Sequence, residues 1–161
     1  ASATSGSVFE EVTNRLSREW VIPSFKFIAQ YYDHPSFIDA WAQASKDFNI
    51  SEYDKVIFSY HGLPISQVNK VHGDMQCDDK DCEHKITPEN KFCYKATVYE
   101  TSKLIAKSLK ISSDKCLISF QSRLTNNWLE PFSDQVLKEL ANKGVKKVLV
   151  FSPSFTSDLF H

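Results

Sequence analysis

Apolar positions along the chain fall into two alternating patterns. Val8, Phe9, Val12, Leu16 and Trp20 recur at the spacing of one helix face, and Ser7 followed three residues on by Glu10 has the form of a capping box. Residues 20–29 (WVIPSFKFIA) then read as a strand, with Pro23 placing it at a strand start or an edge. His34-Pro35 opens a second helix carrying Phe37, Ile38, Trp41, Ala44 and Phe48, because proline suits a first helical turn. Residues 55–60 (KVIFSY) are a short apolar run between polar neighbours, the pattern of a buried strand. Residues 99–109 and 132–142 return to helical spacing, while 116–120 (CLISF) and 145–151 (VKKVLVF) read as strands. Gly144 is the expected stop of the helix before the last strand.

Four short strands separated by helices imply parallel pairing through right-handed crossovers. The expected fold is α/β: a Rossmann-like, four-stranded parallel sheet flanked by helices, one domain over residues 1–161. Residues 65–93 stand outside that scheme. They have little apolar periodicity, collect His, Asp, Lys and three Cys, and exceed what a connection needs. Such an insert is functional, metal-stapled or disordered.

Composition narrows the function. A chain of 161 residues, 42% apolar and 13% aromatic, supports one compact domain. Nineteen Lys and Arg against 20 Asp and Glu leave a net charge of −1, so no basic stripe for nucleic acid is expected. No apolar run reaches the roughly 18 residues that span a bilayer. The start, ASATSGS, has no initiator Met, basic n-region or apolar h-region; the expectation is a processed chain or a piece of a longer one, located in the cytoplasm. Four Gly leave no room for a glycine-rich phosphate loop, and four uneven Cys do not make a disulfide scaffold.

In open parallel sheets ligands gather at the carboxyl ends of the strands. Here KVIFSY runs into His61-Gly62-Leu63-Pro64, CLISF into Gln121-Ser122-Arg123, and VKKVLVF into Ser152-Pro153-Ser154-Phe155-Thr156-Ser157-Asp158. A His, a Gln, an Arg and an Asp at one sheet edge make a polar pocket containing an acid–base group.

Those same residues carry a family resemblance. Ser59-Tyr60-His61-Gly62-Leu63-Pro64 resembles the ferrochelatase motif S-[AY]-H-[SG]-[LI]-P. Phe120-Gln121-Ser122-Arg123-Leu124 with Trp128-Leu129 and Pro131 is similar to that family's [FW]-Q-S-[RK]-x…W-L-x-P, the start ASATSGS to its A-S-x-T-x-G-S, and Phe155-Thr156-Ser157-Asp158 to its F-x-x-D. The resemblance implies a fragment from the middle of a two-lobed enzyme that inserts ferrous iron into protoporphyrin IX or coproporphyrin III. It implies His61 as acceptor of pyrrole protons, since an ordinary imidazole is mostly neutral at neutral pH. It also implies Tyr31 and Phe155 against the macrocycle, Arg123 drawing a propionate, Gln121 and Ser122 along the pocket wall, and Asp158 holding the loop or neighbouring His61. The family places a glutamate three residues after that Asp, where this chain has His161. That departure keeps a non-catalytic porphyrin- or metal-binding module as an alternative, beside a related tetrapyrrole chelatase for cobalt or nickel. Peripheral membrane association accompanies a lipophilic product, although no amphipathic anchor appears in the chain. Oligomeric state is not legible.

Cys77, Cys82 and Cys93, spaced C-x4-C-x10-C with His84 between the last two, suggest a metal staple. Cys116 begins a strand about 17 Å from the pocket edge where the insert leaves the sheet, so it reads as core, and His84 or a residue outside this chain as the fourth ligand. The resemblance extends to bacterial ferrochelatases with a [2Fe-2S] cluster in an internal cysteine segment, while zinc fits the same donors.

Overall fold

Five consecutive buried side chains, Val56 to Tyr60, put β1 (Lys55–His61) at the centre of the sheet in this computed structural model, which describes residues 3–155 apart from the side chains of Ala3, Thr4 and Asp79. A strand covered on both faces has no polar alternation, as its sequence shows. β2 (Cys116–Gln121) and β3 (Val148–Phe151) flank it in the order β2-β1-β3, both parallel to it. The register sets Ser59 beside Ser119, Tyr60 beside Phe120 and His61 beside Gln121. The strand-end motifs are therefore neighbours because the sheet is parallel.

Alternate side chains of β1 serve two cores. Val56, Phe58 and Tyr60 face α2 (Pro35–Ala44) and α4 (Tyr94–Ser108). Phe58 stacks on Phe151 at 5.4 Å between centroids, Trp41 of α2 meets Phe151 edge-on at 6.1 Å, and the Tyr60 hydroxyl lies 2.9 Å from Ser102 Oγ of α4. On the other face, Ser59 and Ser119 converge on Ser133 Oγ at 3.2 and 2.8 Å, which fixes the start of α5 (Ser133–Asn142). Phe58 has no exposed surface. Its truncation leaves a cavity between helices and sheet, so Phe58→Ala is expected to cost about 3–5 kcal/mol, measured by chemical denaturation.

Three expectations need correction. Residues 20–29 form no strand, and the sheet has three strands among the described residues rather than four. The segment has the right residue types but pairs with neither outer edge of the sheet: Trp20 is fully exposed, Val21 and Ile28 largely so, and Phe27 stacks at 4.2 Å on Phe9 of α1 (Ala3–Leu16). β-propensity without a partner strand makes no strand. Ser7 and Glu10 lie inside α1, which begins at Ala3, so they are not its cap.

The remaining differences are at element ends. β3 starts at Val148, because Asp54 captures the preceding turn: its carboxylate accepts the N–H groups of Lys146 and Lys147, each at 2.9 Å. Those backbone bonds hold the Asp54 carboxyl below the usual range. Gly144 has φ +80° and ends α5 as expected. The insert is ordered as α3 (Ile65–Asn69) and two short 3₁₀ turns ahead of α4, which begins five residues before the periodicity indicates.

Candidate functional site

β1 ends at His61 with its backbone held from both sides. The His61 N–H donates to Ser154 Oγ at 3.1 Å, and its carbonyl accepts from the Tyr94 hydroxyl at 2.7 Å. The ring nitrogen Nδ1 lies 2.6 Å from the carbonyl oxygen of Gly62. A carbonyl only accepts, so this contact assigns the proton to Nδ1 and leaves the lone pair on Nε2. Trp128 and Phe155 flank the ring at 6.3 and 6.2 Å.

Gly62 is closely packed. Its N–H donates to the Gln121 carbonyl at 2.8 Å, and a Cβ there would stand 3.1 Å from that oxygen and 3.2 Å from Trp128 Cε3. The Gln121 carbonyl is fixed by the strand register, so the partly buried indole is the neighbour that must give. Gly62→Ala is expected to destabilise by about 1–3 kcal/mol and to move Trp128 away from His61, read as a shift in tryptophan fluorescence.

A cavity of about 520 Å³ opens at this strand end, lined among others by Tyr31, Phe37, Tyr60, His61, Tyr94 and Phe155. It is an aromatic cleft with one imidazole at its base, the composition of a site for a flat apolar ligand. Burial pushes the Tyr94 phenol up to about 12 against the opposing effect of its bond with Ser154, so it remains a donor to His61.

The structure brings Tyr31, His61 and Phe155 to one cavity. Gln121 ends β2 and Ser122 and Arg123 begin the adjoining loop; none of the three lines the cavity. Ser122 takes the left-handed conformation at φ +65°, and the Arg123 guanidinium lies 3.9 Å from the Phe132 ring centroid and 3.3 Å from Asp134 Oδ2. Asp158 and His161 are outside the described residues. Tyr94 and Ser154, the two groups that clamp the His61 backbone, were not legible as site residues. Starting the helix at 99 hid Tyr94, and Ser154 appeared as one polar residue among several.

In the insert, donor atoms of His72, Cys77, Cys82 and Cys93 all lie within 4.8 Å of one another. Cys77 and Cys93 Sγ are 3.4 Å apart, and Cys82 Sγ is 3.8 Å from His72 Nε2. All three thiols are buried, and His72 Nδ1 is buried without a hydrogen-bond partner. His84 is not part of this group: it is exposed and its Nδ1 sits 2.5 Å from Asp81 Oδ1. The fourth member of the group is His72, five residues before Cys77, in the spacing H-x4-C-x4-C. Cys116 stands apart, half-buried against the core with its thiol toward the Ser112 carbonyl.

Crowding governs these thiols. Cys93 is lowered to about 5, chiefly because Cys77 donates to it. Cys77 is pushed well up by that same bond, and burial raises Cys82 to about 11. Polar groups hold the surrounding turns. Asn90, fully buried, accepts from the Thr87 N–H at 2.7 Å and donates to the Lys85 carbonyl at 2.9 Å. Burial alone would lower buried Lys95, but Asp78 at 2.8 Å and Glu83 at 2.5 Å raise it overall and tie both turns to α4. Cys93 immediately precedes α4, and its neighbours Phe92 and Tyr94 both line the His61 cavity.

The chain matches known proteins over nearly its whole length. A family model described as ferrochelatase matches residues 1–160. A ferrochelatase of Legionella pneumophila (strain Corby) is 37% identical over 159 residues, covering 98% of this chain and 47% of the relative. Ferrochelatases of Pseudomonas putida and Coxiella burnetii (strain Dugway 5J108-111) are 34% and 35% identical, again over 98% of this chain and over 48% and 44% of their own lengths. The chain spans about half the length of the curated relatives it matches.

Proposed function

The chain belongs to the ferrochelatase family, and from that premise we propose that the whole protein inserts ferrous iron into a porphyrin at the His61 cavity. The observation that carries the assignment of His61 is its tautomer. Insertion of Fe²⁺ expels two pyrrole protons, and the acceptor must present a lone pair where those protons leave. With Nδ1 donating to the Gly62 carbonyl, Nε2 is that acceptor, and the protonated ring keeps its bond to Gly62 while it returns a proton to water. Tyr31 and Phe155 present aromatic surface to the macrocycle. Gln121 anchors Gly62 through its carbonyl, and Ser122 and Arg123 shape the loop that follows β2; Arg123 acts through Phe132 and Asp134.

The insert's thiols serve a resident metal and not the iron in transit. All four cysteines are free, as suits a reducing cytoplasm. No helix among the described residues is long and apolar enough to cross a membrane.

The test is the full-length protein, mixed with Fe²⁺ and protoporphyrin IX or coproporphyrin III without oxygen and followed by visible absorbance. Metalloporphyrin formation is the expected result, and the faster porphyrin is the substrate. Porphyrin bound without metallation would reassign the fold to a binding module. Cobalt or nickel insertion into a less oxidised ring, with none of iron, would reassign it to a related chelatase.

A further inference from the structure

We infer that His72, Cys77, Cys82 and Cys93 hold a single tetrahedral ion of the zinc class, with His72 as the fourth ligand. The inference rests on the resident-metal reading of the insert and is independent of the chelatase reaction.

Size decides between one ion and a cluster. Around tetrahedral zinc with Zn–S near 2.3 Å and Zn–N near 2.0–2.1 Å, neighbouring sulfurs lie about 3.8 Å apart and sulfur lies about 3.6 Å from nitrogen. The observed separations of 3.4 Å for Cys77–Cys93 and 3.8 Å for Cys82–His72 bracket those edges. A two-iron cluster takes two donors on each iron, at opposite ends of an Fe₂S₂ rhomb, so its donor pairs stand apart by the added iron–iron step. With every donor within 4.8 Å of the others, these four residues do not fit that rhomb.

Donor chemistry points the same way. Three thiolates and one imidazole are a Cys₃His set, the kind that closes structural zinc sites. A disulfide is not what holds Cys77 and Cys93 together, since a 3.4 Å separation is far longer than an S–S bond of about 2.05 Å. His72 makes sense only in this setting. Its Nε2 faces Cys82, and its buried Nδ1 has no partner, so hydrogen bonding does not account for the ring's place among the thiols. The supporting shell is built as well. Asn90 and Lys95 fix the turns that carry Cys82 and Cys77, as outer-shell groups do for metal ligands.

The experiment uses the full-length protein purified without oxygen. One zinc per chain and no acid-labile sulfide are expected by elemental and sulfide analysis. Exchange with Co²⁺ should give the intense visible bands of tetrahedral thiolate-bound cobalt. His72→Ala should change those bands and weaken Co²⁺ binding by more than about tenfold. His72→Cys should restore a tetrahedral spectrum with an added thiolate charge-transfer contribution, which separates lost ligation from failed folding. His84→Ala should leave spectrum and affinity unchanged. Iron with equimolar sulfide, a metal-free chain, a Cys77–Cys93 disulfide, or sensitivity at His84 with none at His72 would each overturn the assignment. A metal-loaded protein that forms no metalloporphyrin would overturn the proposed reaction and leave this site intact.

Discussion

Replacing His61 by Ala in the full-length protein is expected to lower kcat for iron insertion by about 100- to 10,000-fold, the usual contribution of a positioned general base. Porphyrin affinity, read by fluorescence quenching, should change little, because His61 is one of many lining groups and aromatic residues such as Tyr31 and Phe155 remain in place. The split between kcat and binding is the diagnostic. A group that merely lined the cavity would move both. Stability should also hold, since His61 is only half-buried and ends its strand. Tyr94→Phe provides the contrast. It removes the 2.7 Å bond to the His61 carbonyl without touching the base, and a hydrogen bond of about 0.5–1.5 kcal/mol sets a several-fold effect. A His61→Ala enzyme retaining more than a tenth of wild-type kcat would remove His61 from the role of base.

Legibility in the sequence followed how locally each feature is determined. β1 could be read because a doubly covered parallel strand is apolar on both faces, and between Val56 and Tyr60 only the small Ser59 interrupts that run. α2 announced itself through His34-Pro35, and His34 Nδ1 does accept the Ser36 N–H as its cap at 3.2 Å. The false strand at 20–29 shows the limit. Its residue types suit a sheet, but a strand is a relation between two segments, and no described edge accepts this one. The His61 edge was placed correctly because motifs at parallel strand ends become neighbours by topology alone. The clamp on His61 was not, since Tyr94 lies 33 residues downstream and reaches it only once the insert is folded. The fourth metal donor was missed for a related reason. Sequence nearness favoured His84, between two cysteines, whereas the turn at Asp81, with φ +53°, leaves His84 exposed and bonded to Asp81; His72 completes the group.

Stripping the resident ion from the full-length protein is expected to unfold the insert and, with it, to disable the base. Residues 65–93 have few apolar anchors of their own: Val68 is buried, Ile86 is partly so, and the remaining buried groups are the cysteines and Asn90. Binding of structural zinc is worth about 10–16 kcal/mol in small metal-folded peptides, so a segment this poor in core should depend on it. Hydrogen exchange should show loss of amide protection across 65–93 after chelation, while β1, β2 and the C-terminal half of α4 keep theirs. Cys93 transmits the change, because it sits between Phe92 and Tyr94 and leads directly into α4. Releasing it frees the Tyr94 hydroxyl from the His61 carbonyl, so kcat should fall at least as far as in Tyr94→Phe, with no further loss when the two changes are combined. Cys93→Ser should reproduce both effects without a chelator. Unchanged protection over 65–93 in the metal-free protein would mean that the thiols are ordinary core and that the insert stands on Asn90 and Lys95 alone.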